Sequence, residues 1–415
     1  MSEKSDKISK SIRETRGRRK SQTCMSYELK IDIFHLSTNK INNLNRIFLE
    51  AKWFYNYILS EDDIYNQDYR INKVKIKVKD HYEDRDILLL SSQMKQEIID
   101  KTKDSIRGLS NLKKKGNKIG RLHFKRRIRT IPLKQYGNTY NISGKYVRIQ
   151  RIGKLKVSGI EQIPKDADIA SATLESRNGD YFIHISTFTG IKDITHSDNG
   201  IGIDFGIKSS LTLSNGIIIN EDIPLTGKAI KLHKELSRRK QHGKNWYKTL
   251  NKLNKEYNNI TQKKKDARNK IVNIITNSFE TIAFQNDPIK GWMRLWGRKI
   301  RGSAIGGIMD DLKRKSRTPK VVPGYTPTSQ VCSICGHRQK MPLKERIFNC
   351  ESCNLYIDRD LNASINILEY MVPTERRKFT PMDIKTYTYM VRYLNSIPCV
   401  KASFVVDIGS FTALA

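Results

Sequence analysis

Four cysteines fall in two Cys-x-x-Cys pairs, Cys332/Cys335 and Cys350/Cys353. The pairs are separated by 14 residues and run on into Asp358-Arg-Asp360-Leu-Asn-Ala. Each Cys-x-x-Cys turn can place two thiolates on one tetrahedral ion, so the spacing predicts a four-cysteine zinc site. Two disulfides or free thiols are the competing reading. The N-terminal segment is basic and polar with no apolar leader, which points to a reducing compartment and to metal thiolates. Cys24 and Cys399 stand alone. Four thiolates close the coordination shell, make His337 unnecessary as a ligand, and give the zinc a structural role. Chemistry is then expected from the acidic helix start onto which this knuckle is spliced.

Charge narrows the partner. The 415 residues hold 77 Lys plus Arg against 42 Asp plus Glu, a formal +35. Such a chain repels itself unless a polyanion neutralises it, and nucleic acid is the most economical choice. The basic residues are spread through segments expected to fold, and no amphipathic anchor is evident, so a membrane surface is the weaker reading. No apolar run approaches the roughly 18 residues of a membrane span. The expected location is the cytoplasm, with no membrane partner. Length and an apolar fraction of 38% allow two or three domains.

In chain order, residues 1–24 read as a flexible basic arm. Tyr27 to Ile33 alternate as a half-buried strand. Thr38 is a candidate cap for a helix with Ile41, Leu44, Phe48, Ala51, Tyr55 and Ile58 on one face. A second helix starts near Ser91. Residues 113–129 then carry Lys113, Lys114, Lys115, Lys118, Arg121, Lys125, Arg126, Arg127 and Arg129 with no acid, and His123 and Phe124 lie among them. That mixture favours a phosphate-backbone contact over a merely solvated face. From about 130 to 188 the period is two, and Asn178-Gly179 is a type I′ hairpin signal. The helices are thus expected as an insertion in a small β-barrel.

A new unit is expected from 199. Ile201-Gly-Ile-Asp204-Phe-Gly is a short strand holding a carboxylate, and a hairpin turning at Asn215-Gly216 follows it. Two basic helices come next, then a strand from Thr281, a strand at Lys320-Val-Val, the knuckle and the Asp360 helix. Asp204 alone could be a turn former, and Asp360 alone could be a helix cap. In this order they suggest an RNase H-like fold. Carboxylates from non-adjacent elements converge there on two Mg²⁺ ions, which cut a phosphodiester.

The whole pattern resembles the TnpB (OrfB) family of insertion sequences, compact relatives of type V CRISPR effectors. The most specific parts are GIDFG at 202–206, Lys290-Gly291-Trp292, the knuckle, and DRDLNAS at 358–364. The resemblance implies an α+β multidomain chain. Its parts would be a first wedge strand at 25–37, recognition helices at 38–112, the rest of a split wedge barrel at 113–198, and a RuvC-type core at 199–328. A zinc ribbon at 329–356, the last core motif at 357–371 and an unassigned tail at 372–415 would complete it. The implied activity is RNA-guided cutting of double-stranded DNA beside a short motif. The cofactors would be structural Zn²⁺, catalytic Mg²⁺ and a guide RNA from the element's own end. A nuclease-inactive RNA-guided DNA-binding protein, or an accessory role in transposition, is the alternative.

One departure stands out. The family's middle carboxylate is usually a Glu, and alignment on Lys290-Gly291 places Gln285 there. Gln is neutral and a poor Mg²⁺ ligand. If the strand continues, Asp287 shares a face with residue 285, so the expected triad is Asp204, Asp287 and Asp360, with Glu280 and Asp310 as fallbacks. Trp292 and Trp296, four apart on a helix, read first as core packing.

Overall fold

A computed structural model describes residues 3–61, 63–78, 80–190, 200–342, 344–371 and 384–405. The chain divides into two compact units, Met1–Lys192 and Asp193–Ala415. The boundary expected at 198/199 lies outside the described residues.

The first unit opens with helix α1 (Glu3–Lys20) where a flexible arm is expected. The correction has a local cause. Arg18 and Arg19 bond the Asp168 carboxylate at 2.8 and 3.3 Å, and Arg19 lies over the Phe188 ring at 4.6 Å. These contacts tie down a charged segment that has no apolar face of its own. Strand β1 (Gln22–Ile31) follows, and helix α2 (Thr38–Ser60) has Ser37 at its N-cap position, one residue before the expected cap and without a side-chain capping bond.

Strands β2 (Lys73–Val78) and β3 (His81–Asp86) form a hairpin inside the segment expected to be helical. Their alternation is mostly polar; Val74 is the fully buried residue of the pair, so the apolar signal is weak. Helix α3 (Ser92–Lys114) starts as expected, with the Ser91 side chain accepting from the Met94 N–H at 3.3 Å.

Six further strands complete the unit: β4 (Thr130–Leu133), β5 (Tyr140–Ser143), β6 (Tyr146–Ile149), β7 (Gly153–Ser158), β8 (Asp168–Arg177) and β9 (Asp180–Gly190). With β1 they make an antiparallel, near-closed small barrel in the order β4-β8-β9-β1-β7-β6-β5. The Asn178-Gly179 turn joins β8 to β9, with both φ positive at 56° and 88°. Alternate residues such as Leu29, Ile31, Leu155, Leu174 and Ile183 point inward and share one core with the apolar faces of α2 and α3. The helices are thus a true insertion between β1 and the rest of the barrel.

The second unit is a mixed sheet. Strand β10 (Gly200–Phe205) pairs antiparallel with β11 (Leu211–Leu213), and β11 with β12 (Ile217–Glu221). Helices α4 (Gly227–Arg238) and α5 (Lys244–Ser278) intervene before β13 (Thr281–Gln285), which lies parallel to β10. Helices α6 (Ile289–Gly302) and α7 (Ile305–Lys315) lead to β14 (Thr318–Val322), parallel to β13.

A hairpin of β15 (Ile347–Asn349) and β16 (Tyr356–Asp358) carries the knuckle into α8 (Arg359–Met371). The order β14-β13-β10-β11-β12, two parallel strands beside an antiparallel meander, is the RNase H-like arrangement the motif order implied. The tail, unassigned from sequence, adds α9 (Ile384–Asn395) and β17 (Val400–Phe404). β17 extends the sheet as the antiparallel partner of β12.

Candidate functional site

The acid-bearing helix is welded to the knuckle. The ribbon core of Cys332, Phe348, Cys350, Leu355 and Ile357 is continuous with Leu361 and Ile365 of α8. Two buried amides reinforce the joint. Asn362 donates to the Val331 carbonyl at 2.7 Å and accepts from the Ser333 N–H at 3.0 Å, while Asn366 donates to the Thr328 and Val331 carbonyls. Both were missed in the sequence. Their signal was two Asn four apart on one helix face, which helix propensity alone does not favour.

The four cysteine sulfurs all lie within 4.8 Å of one another, with 3.6 Å between Cys332 and Cys353 and 3.5 Å between Cys335 and Cys350. Tetrahedral zinc with Zn–S of about 2.3 Å needs sulfurs roughly 3.8 Å apart, so the cluster fits the ion. Each second cysteine is followed by a left-handed residue, Gly336 (φ 72°) and Asn354 (φ 56°), which turns the chain back over the metal position. A backbone hydrogen bond from His337 pulls the Cys335 thiol down to about 6, whereas burial pushes the Cys332 and Cys353 thiols up. His337 itself is exposed and outside the cluster.

The aspartates come from three elements. Asp204 is the penultimate residue of β10. Burial, then the Asp360 and Asp287 charges, push its carboxyl well above the usual range. Asp360 lies in the first turn of α8, where Arg359 bonds its Oδ1 at 3.1–3.2 Å and Arg346 approaches Oδ2 at 3.7 Å. The cap is Asp358, whose Oδ1 accepts from the Asp360 and Leu361 N–H groups at 2.9 and 3.0 Å. Asp360 is therefore not occupied in capping.

Asp287 follows β13, and burial raises its carboxyl to about 6. The strand does not run on through it. β13 ends at Gln285, and the Ile289 N–H bonds back to the Asp287 carbonyl in a turn. Asp287 approaches Asp204 by that turn, not by strand alternation. Of the fallbacks, Glu280 precedes β13 at its far end and Asp310 is exposed on α7.

Gln285 occupies the position expected of the missing Glu. The β10–β13 register pairs Ile203 with Phe284, and its next step puts Gln285 beside Asp204. Its amide is taken up elsewhere: Nε2 donates to the Thr326 carbonyl and Oε1 accepts from the Thr328 hydroxyl, both at 3.1 Å. This neutral side chain, bonded through both its Nε2 and its Oε1, ties β13 to the segment after β14.

Close packing brings the first and last aspartates together. A Cβ on Gly202 would overlap the Ser364 carbonyl oxygen, so α8 rests directly on β10. Among the described residues, the metal-capable groups whose ligand atoms all lie within 4.8 Å are the four cysteines and Glu28, Glu175 and His184. The aspartate cluster is thus looser than the zinc site. Its hard oxygen donors and the repulsion borne by Asp204 are what a divalent cation would relieve.

The basic residues 113–129 belong to the first unit. All nine expected contacts, from Lys113 to Arg129, are exposed. Lys101, Lys125, Arg127 and Arg129 line a cavity of about 470 Å³ together with Tyr55, and the Lys125 ammonium is 4.0 Å from the Tyr55 ring centroid. Trp292 packs against the core as expected, whereas Trp296 is 41% exposed at a kink in α6.

Among the described residues, no helix is long and apolar enough to cross a membrane. A family model described as "Cas12f1-like, TNB domain" matches residues 311–367, from α7 through the knuckle into α8. A Streptomyces pristinaespiralis protein provisionally named an RNA-guided DNA endonuclease is 27% identical over 217 residues, covering 50% of this chain and 54% of that protein. A TnpB-like protein of Acanthamoeba polyphaga mimivirus is 25% identical over 219 residues, 46% of this chain and 40% of its own length. The chain thus spans about half the length of the curated relatives it matches. The protein in a cryo-EM structure of a Cas12f1–sgRNA–target DNA complex aligns over 79% of this chain and 82% of its own, with a TM-score of 0.45 and 14% identity. Motif, ribbon match and relatives agree in one likeness: this chain is similar to TnpB-like proteins.

Proposed function

We propose that this protein is an RNA-guided DNA endonuclease in which Asp204, Asp287 and Asp360 hold catalytic Mg²⁺. The observation that carries the reading is the convergence of carboxylates from β10, the β13 turn and α8 at one end of the sheet, where burial and then the Asp360 and Asp287 charges raise the Asp204 carboxyl. Mg²⁺ bound there would supply an activated water and stabilise the leaving oxygen of a phosphodiester. The chain's own residues do the positioning. Asp358 caps α8 and leaves Asp360 available, Gly202 lets α8 close on β10, and Arg359 and Arg346 hold Asp360 in place while balancing its charge.

The partners in this reading are a guide RNA from the element's own end and a double-stranded DNA target. A formal charge of +35 and the exposed run at 113–129 suit both. Zn²⁺ at the four cysteines is the structural cofactor. The domain reading follows: wedge barrel with inserted recognition helices in the first unit, and RuvC-type core with its ribbon in the second.

Gln285 favours a second reading, a guided DNA-binding protein that does not cut. Co-expression with the flanking element DNA, sequencing of the co-purified RNA, and assay on a plasmid target library with Mg²⁺ separates the two. Asp204→Ala and Asp360→Ala should abolish cutting and leave RNA bound. Guided binding by the unmutated chain without cleavage selects the second reading.

A further inference from the structure

We propose that the tip of the α4–α5 hairpin is a stacking platform for single-stranded DNA on its way to the aspartate cluster. The inference rests on the nuclease reading and names how that unit would hold its strand.

Three aromatic rings meet within six residues at this turn. The His242 ring centroid lies 5.5 Å from that of Trp246 and 6.1 Å from that of Tyr247, and the two larger rings sit edge to face at 5.1 Å. The Tyr247 hydroxyl is 3.2 Å from His242 Nδ1, which fixes the group, and His242 adopts φ 65° to bring its ring there. The cluster faces solvent, with Tyr247 42% exposed. A rigid aromatic group held outside the core gains nothing from burial in the free protein. It is suited to a flat partner.

The surrounding charge defines that partner. Arg238, Arg239, Lys240, Lys244 and Lys248 are all exposed, and residues 238–248 contain no acid. Helix α5 begins after Gly243, which offers no side-chain cap, so its first amides are also open to a phosphate. Ring faces interleaved with cations are the chemistry of single-strand binding. Unpaired bases offer π faces that a duplex hides, and the phosphates follow the basic rim.

Topology favours the DNA strand over RNA as the occupant. Helix α5 has 35 residues, about 52 Å, and its far end turns through Phe279 and Glu280 into the start of β13. Strand β13 is only 5 residues, about 17 Å. The chain reverses between α5 and β13, so the hairpin tip lies toward the end of the sheet that carries Asp204, Gln285 and Asp287. A strand entering the carboxylate site from that side meets the platform first.

The test uses the full chain with its co-purified RNA and an oligothymidylate carrying 5-iodouracil. Photo-cross-links should map to the peptide containing His242, Trp246 and Tyr247. Trp246→Ala with Tyr247→Ala should weaken oligothymidylate binding about tenfold or more, and Trp246→Phe should retain it. Arg239→Glu with Lys240→Glu, which leaves the rings intact, should weaken it as well. Cross-links confined to other regions, with the double alanine variant binding within twofold of the parent, would overturn the proposal. Loss of guide RNA from that variant with unchanged oligothymidylate affinity would also overturn it, by making RNA the occupant. Binding is read without cleavage. A chain that cross-links at this turn but cuts no target sinks only the nuclease reading, and a chain that cuts fully without cross-linking here sinks only the platform.

Discussion

Gly202 of β10 and the Ser364 carbonyl of α8 are so close that no side chain fits between them. The obstructing atom is backbone, so it cannot swing aside. Gly202→Ala should push α8 off the strand, cost about 1–3 kcal/mol of stability, and separate Asp204 from Asp360. We expect cleavage to fall about 100-fold, because displacement of a reacting group by about 1 Å is enough for that, while zinc content stays unchanged. Melting curves, metal analysis and single-turnover rates on one preparation check this. An unaltered rate would show that the contact does not position the site.

The middle position separates charge from scaffold. Asp287→Asn removes a carboxylate from the cluster and should lower cleavage by at least about 100-fold with little loss of stability. Gln285→Glu should do the reverse. It leaves the Thr326 carbonyl without its donor, so thermal stability should drop by about 1–3 kcal/mol. Cutting by the Asp287→Asn variant at the parent rate would remove Asp287 from the site.

Removing the zinc should reach the aspartates. The ribbon core is continuous with α8, so Cys350→Ser or a strong chelator is expected to loosen both. The parent should carry one zinc per chain, and loss of that metal should parallel loss of cleavage even with excess Mg²⁺. Full activity in a zinc-free protein would contradict the coupling.

Glu221 gives the second unit a pH dependence of its own. It is 4% exposed, its Oε1 accepts from the Ala304 N–H at 2.6 Å, and burial raises its carboxyl from 4.5 to about 7. A raised acid favours the protonated folded state. Its contribution is fully present below pH 4.5 and is lost as pH rises through about 7, by an amount on the order of 3 kcal/mol. Glu221→Gln mimics the protonated form. The melting temperature of the parent should fall relative to this variant between pH 5 and 8, and parallel pH profiles would refute the assignment.

Much of this is legible in the sequence. Cys-x-x-Cys spacing, the short apolar strand holding Asp204 and the Asn178-Gly179 turn each report local geometry, and each element formed where its residues pointed. What was missed depends on partners distant in sequence. Helix α1 is held by Asp168, about 150 residues away, and a mostly polar hairpin such as β2–β3 shows no strong period. The tail strand β17 could not be foreseen because its meaning lies in its pairing with β12. The approach of Asp287 through a turn was likewise hidden, since strand periodicity offered a simpler route to the same place.

The most direct measurement is cleavage by the RNA-bearing complex of a plasmid whose target matches the co-purified guide, with Mg²⁺ present, for the parent chain and for Asp204→Ala. The account predicts double-strand cutting by the parent, none by the variant, and equal RNA in both. Guided binding by the parent without any cutting, or cutting that survives Asp204→Ala, would contradict it.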